Sequence, residues 1–271
     1  MEAEPNDMDA GSRDALIPPE RPFALLVVPA APASADALET AFRHMGLRPE
    51  IVATAGAAAP RFRLHLGTLD VLVGRAEPSQ LALADPDDRA TSLLGAVLPG
   101  RWRQDCWVFR PEDRESAAAG PGASFDEFYR MLVLSIDLFD AHQLFWSPAR
   151  LWSDAAQFRG AIAEMQVSGM PPVLHLIAFR HRDGPGGETV ATRGLAAFAG
   201  QELEAMIPAG WDMAAMVKRL ARLALDMMVN GPLTWAQQAP GLNSGEWVAL
   251  TPQVGAGDRP PTVRVEFSFD R

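Results

Sequence analysis

The chain has 271 residues, 48% of them hydrophobic and 21% charged, with a formal net charge of −10 and one cysteine. That length holds one large domain or two small ones and allows a sizeable buried core. The balance argues against a phosphate-neutralising surface, since the chain is acidic and no basic cluster occurs, with Lys218 the only lysine; lone Cys106 excludes an intrachain disulfide or a cysteine-built zinc site, and no run of about 18 apolar residues is present to span a membrane.

Residues 1–21 carry Glu2, Glu4, Asp7, Asp9 and Asp14 and have no apolar signal core. They read as a disordered acidic leader of a cytoplasmic protein rather than a secretory signal. FALLVV, residues 23–28, is a short apolar run closed by Pro29 and reads as a buried strand. Ser34 or Asp36 is placed to cap the next helix, whose apolar stripe is Leu38, Ala41, Phe42 and Met45 and whose stop is Gly46. A strand follows at 50–55. RFRLHL at 61–66 alternates cleanly, Gly67-Thr68 suits a two-residue hairpin turn, and LDVLVGRA at 69–76 returns as its partner. A short helix is expected over 90–97 and a strand over 105–110. Small residues at 115–123 read as a linker between an N-terminal half, 22–114, and a C-terminal half, 124–271.

The second half opens with a helix over 125–141 that is apolar almost all round and therefore belongs between layers. QLFWSP at 143–148 predicts a strand leading into a helix over 149–167, and VLHLIAFRH at 173–181 a long central strand. DGPGG at 183–187 reads as a hairpin loop and the segment from 188 as its partner strand. Asp212 caps a long helix to Met228. Strands at 246–250 and 262–269 complete the pattern, the last facing Val263, Val265, Phe267 and Phe269 inward. Irregular mixing of strands and helices, with hairpins as well as crossovers, predicts an α+β fold. The expected architecture is two fused halves of ferredoxin-like type, with mixed or antiparallel sheets and packed helices.

Few residues suggest chemistry. The five histidines form no HxH, HxxxH or HExxH spacing, and His175 and His181 on one strand would stand ~20 Å apart at ~3.3 Å per residue. No metal or cofactor is expected. Cys106 in an apolar strand reads as an inert small hydrophobe, and neither glycine-rich loop continues into a phosphate-binding helix. Asp137 and Asp140 read as an arginine partner and a helix closure. Ser147 before Pro148 reads first as a cap and second as an exposed hydroxyl. Trp235 and Trp247, among seven tryptophans, lie in or beside a glycine- and proline-rich region and are expected at the surface. In TRGLAAFAGQELE, residues 192–204, glycines at 194 and 200 interrupt an apolar strand, and Arg193 is placed to meet Glu202 or Glu204 across the bend. The local chemistry favours a bent strand over a site.

Four segments together resemble the DUF4261 family: LFWSP at 144–148, PPVLHLIAF at 171–179, TRGLAAFAGQELE at 192–204 and NSGEWVAL at 243–250. The hairpin at 62–78 is similar to the amino-terminal portion of longer members. The third segment is the specific one, and it departs from the family pattern in having Ala199 between Phe198 and Gly200. The resemblance implies a bacterial protein and a shared bend, and it brings no activity with it.

Two functions are expected from the sequence. The first is a non-enzymatic interaction module, of immunity or adaptor type, whose acidic surface meets a protein with a basic surface, with neither nucleic acid nor membrane as partner. The alternative is an enzyme or small-molecule binder with a polar pocket around Arg193 and Glu202, with Trp146 and Ser147 nearby.

Overall fold

The computed structural model describes residues 22–29, 34–52, 60–112, 125–184, 187–255, 257 and 259–269. The acidic leader and the 115–123 linker lie outside the described residues. In chain order the elements are β1 (Ala24–Val27), α1 (Ala35–His44), β2 (Arg48–Val52), β3 (Arg61–Leu66), β4 (Leu69–Arg75), α2 (Pro78–Leu83), β5 (Ser92–Leu94) and β6 (Cys106–Glu112). Then come α3 (Asp126–Phe139), β7 (Gln143–Trp146), β8 (Leu151–Asp154), α4 (Ala155–Ser168), α5 (Val173–Leu176), β9 (Ala178–Gly184) and β10 (Gly187–Arg193). The chain closes with α6 (Ala196–Ala199), β11 (Glu202–Met206), α7 (Met213–Asn230), β12 (Gln237–Pro240), β13 (Glu246–Gln253) and β14 (Thr262–Phe269).

The fold is α+β, as the pattern predicted. One sheet has eight strands in the order β2-β3-β4-β6-β1-β7-β8-β5, the other six in the order β12-β13-β14-β11-β10-β9. Pairing is antiparallel except for β5 with β8 and β11 with β14. Sheet membership does not follow the division of the chain at 115–123. β7, beyond that point, pairs with β1, and β8 pairs with β5, so the first sheet draws on both halves. The reason is burial. The β1 run is apolar on both faces and belongs in the sheet interior, where β6 and β7 pair with its two edges while the main core covers one face and a smaller cluster the other.

One face of β1 joins the main core through Ala24 and Leu26, with Phe42 of α1, Phe62, Val73, Trp107 and the α3 residues Phe128, Met131 and Leu132. That core runs on without a break to Val190, Leu203, Val248 and Val265 of the second sheet and to Met216 and Leu220 of α7. The opposite face of β1, Leu25 and Val27, meets Cys106, Phe145, Trp152, Trp102 and Ala84 in a smaller cluster. Burial at this position pushes the Cys106 thiol up to about 12, the behaviour of an inert hydrophobe.

The local signals hold where they are strong. Ser34 accepts the Ala37 N–H at 3.2 Å and caps α1; Asp212 accepts the Ala215 N–H at 2.7 Å and caps α7. Gly67 turns the β3–β4 hairpin at φ +59°. Asp140 closes α3 in the left-handed region, and Asp137 pairs with Arg159 at 2.6 Å.

Outside residues 192–204, three element assignments change. The helix expected over 90–97 is a turn followed by β5, because Ser92–Leu94 finds a parallel partner in β8. The helix expected from Ala149 begins at Ala155. Residues 147–150 are instead a tight turn, with Arg150 at φ +47°, that folds β8 back onto β7. Arg150 is held there by donating to the Leu83 carbonyl at 3.0 Å and to Asp88. The long strand expected at 173–181 is split: Val173–Leu176 is one helical turn, and β9 starts at Ala178. A short apolar run does not by its periodicity separate strand from buried helical turn. Here the turn buries Val173 and Leu176 and leaves Leu174 exposed. His175 and His181 therefore do not share a strand.

Candidate functional site

The segment 192–204 is not a continuous bent strand. β10 ends at Arg193, Gly194 turns at φ +100°, α6 makes a single turn, Gly200 closes it at φ +69°, and β11 begins at Glu202. A glycine is required at 194 for two reasons. Its φ is one that other residues rarely adopt, and a Cβ there would lie 2.9 Å from the Leu176 carbonyl oxygen and 3.0 Å from the Ala149 Cα.

Glu202 reaches back across this break. Its carboxylate accepts the N–H groups of Gly194 at 2.8 Å, Ala196 at 3.1 Å and Leu195 at 3.3 Å, and the Thr192 hydroxyl at 2.7 Å. The Thr192 oxygen in turn accepts the Leu203 N–H at 2.7 Å, filling the place of a ladder bond. Gln201 joins the same segment to the start of the next loop, exchanging two hydrogen bonds with the Leu233 backbone at 2.8 and 2.9 Å. The threonine, first glycine and glutamate of the motif thus form one interlocked unit. Burial pushes the Glu202 carboxyl up from its ordinary value, while Thr192 and the backbone N–H groups pull it back.

Glu202→Gln is expected to destabilise the fold by about 1–3 kcal/mol, because an amide NH₂ then faces backbone donors that need an acceptor. Urea denaturation measures it. The sign of its pH dependence follows from the raised carboxyl: this group's contribution falls as pH rises from the unfolded value through the folded one. The glutamine variant lacks that slope, and an unchanged midpoint in it would mean the carboxylate is not held as described.

Of the four residues expected around a pocket, the structure brings the chain segments together but not the chemistry. Gly194 does lie against Ala149, beside the Ser147 turn. Ser147, however, neither caps a helix nor faces solvent. Its Oγ accepts the Phe23 N–H at 2.8 Å and its own N–H donates to the Phe23 carbonyl at 3.0 Å, which fixes the entry to β1. Trp146 is 1% exposed and packed among Phe125, Phe128 and Tyr129, with ring centroids 5.5 to 6.2 Å away. Phe125 also touches Phe198 at 5.4 Å, so the phenylalanine of the motif continues the same aromatic cluster. Arg193 is half-buried at the end of β10.

Two constellations escaped the sequence reading. The first is Arg219 of α7, which holds Glu246 of β13 through two 2.7 Å hydrogen bonds and stacks 3.8 Å from the Trp211 ring centroid. The Arg219 guanidinium keeps the Glu246 carboxyl below its ordinary value. The pair is 27 residues apart and has no motif; only the SGEWVAL stretch of the resemblance touches it. The second is an exposed trio on the β9–β10 hairpin, His181, Asp183 and Glu188, whose ligating atoms lie within 4.8 Å of one another. Histidine spacing carries no sign of it, because two of its members are carboxylates and one comes from the opposite strand.

Among the described residues no helix is long and apolar enough to cross a membrane. Trp235 and Trp247 are exposed, at 69% and 41%, beside or next to the edge strand β12. Comparison with known proteins returns no matching family model, no matching curated protein and no matching solved structure.

Proposed function

We propose that this chain is a cytoplasmic, non-catalytic protein-interaction module of immunity or adaptor type, related to the DUF4261 family, that binds a protein with a basic surface. The observation that carries the reading is where polar and aromatic groups are spent. Thr192, Glu202, Ser147, Arg219 and Glu246 are engaged in internal hydrogen bonds; Trp235 and Trp247 present exposed surface around an edge strand. Tryptophan is the residue most enriched among interface hot spots, and an edge strand offers unpaired backbone groups to a partner. The net charge of −10 favours a basic protein and opposes nucleic acid.

The test is affinity capture from the source cell with the full chain, run beside a W235A/W247A double variant shown by circular dichroism to be folded. A specific protein retained by the wild type, lost with the double variant and weakened by high salt supports the proposal. If the wild type retains nothing specific, or the double variant and salt make no difference, the proposal fails.

A further inference from the structure

We propose that the β9–β10 hairpin carries a divalent transition-metal site, with His181, Asp183 and Glu188 as its three protein ligands. The register places them together. Asp183 stands directly opposite Glu188, and His181, two residues earlier on β9, stands opposite Val190. Side chains at i and i+2 of a strand, and at paired positions across a ladder, share a face. The three therefore continue the Val190 face outward to the exposed end of the hairpin.

Their separations suit a metal better than they suit one another. The His181 Nε2 atom lies 3.7 Å from a Glu188 carboxylate oxygen and 3.8 Å from an Asp183 oxygen. Those gaps are too long for hydrogen bonds. Ligands about 2.0–2.2 Å from a tetrahedral ion lie roughly 3.4 Å apart, so small side-chain rotations close the set. Among the described residues the lone pairs are also available. Glu202 and Glu246 on the same sheet are saturated with donors, whereas His181 is the ion-pairing partner found for Asp183 and for Glu188 among the described residues.

The ladder itself adds to this. Two carboxylates directly opposite one another in an antiparallel pair repel, and because both are exposed the cost is modest. A cation between them removes that cost. One imidazole with two carboxylates is a borderline donor set, which favours zinc-like ions over magnesium. Three protein ligands leave at least one position for water or for a donor from another molecule. The site is independent of the protein-interaction reading.

The experiment is a calorimetric titration of the full chain with zinc chloride, repeated with magnesium chloride and with the H181A and E188Q variants. All three residues are exposed, so both variants are expected to fold, and circular dichroism checks it. The expected result is one saturable zinc equivalent, with affinity reduced roughly tenfold or more in each variant, since loss of even an outer-sphere partner costs that much. Magnesium is expected to bind far more weakly. Absence of saturable zinc binding, zinc affinity unchanged in H181A, or magnesium binding as tight as zinc would each overturn the assignment.

Discussion

Glu246→Ala is expected to cost about 3–5 kcal/mol of stability, a large fraction of what a domain of this kind possesses. The carboxylate is fully buried and the Arg219 side chain only 10% exposed, so removing one charge strands the other away from water. The guanidinium keeps its contact with the Trp211 ring, but a cation–π contact of about 0.5–2 kcal/mol does not replace a bidentate carboxylate. Replacing both partners by apolar residues of similar size, Glu246→Leu with Arg219→Met, is expected to recover most of the loss, because the desolvation cost of two charges disappears with their attraction. Urea denaturation of the two variants and the wild type decides it. A single-variant loss under about 1 kcal/mol would mean that solvent screens the pair.

The pH dependence of this pair has the opposite sign to that of Glu202. The folded Glu246 carboxyl is depressed by Arg219. Its contribution is complete above the unfolded carboxyl range and is lost as pH falls through the folded value. The stability gap between wild type and Glu246→Gln should therefore narrow on acidification.

The second large effect is expected at Trp146, where truncation to alanine should also cost about 3–5 kcal/mol. The indole is enclosed by Phe125, Phe128 and Tyr129 and sits where β7 and α3 meet. Its Nε1 atom is buried and finds no acceptor among the described residues, so Trp146→Phe gives back part of the lost volume while removing that donor, and should cost markedly less. The exposed Trp235 provides the contrast, with Trp235→Ala expected to stay within about 0.5 kcal/mol. A Trp146→Ala protein as stable as the wild type would show that the indole does not hold β7 and α3 together as described.

How much was legible follows from the range of each signal. The β3–β4 hairpin, the caps at Ser34 and Asp212 and the inward face of β14 at Val263 and Val265 are set by neighbours within a few residues and can be read from the chain; the alternation predicts the same face through Phe267 and Phe269, but Phe267 is half-buried and Phe269 is 52% exposed. The buried character of FALLVV was also legible, from an apolar run that does not alternate. What hid its surroundings is that its partners, β6 and β7, lie about 80 and 120 residues away. For the same reason the first sheet takes strands from both sides of 115–123: small residues there mark a connection in sequence, and strand pairing does not respect it.

The candidate site shows the same divide more sharply. Sequence alone established the α+β class, the residue types that limit chemistry, and the importance of the glycines in TRGLAAFAGQELE. It placed Arg193 and Glu202 across a bend as the pair to watch. Only the tertiary structure decided that Gly194 is pressed against the backbone of Leu176 and Ala149, and that the Glu202 carboxylate is taken up by three backbone N–H groups and Thr192. It alone joined Arg219 to Glu246 and His181 to Asp183 and Glu188. The physical reason is that periodicity and turn chemistry record which face of an element is apolar and where it ends. Which donor meets which acceptor depends on the path of the whole chain, and side-chain hydrogen bonds are directional enough that a few ångströms of that path separate a ligand from a structural brace.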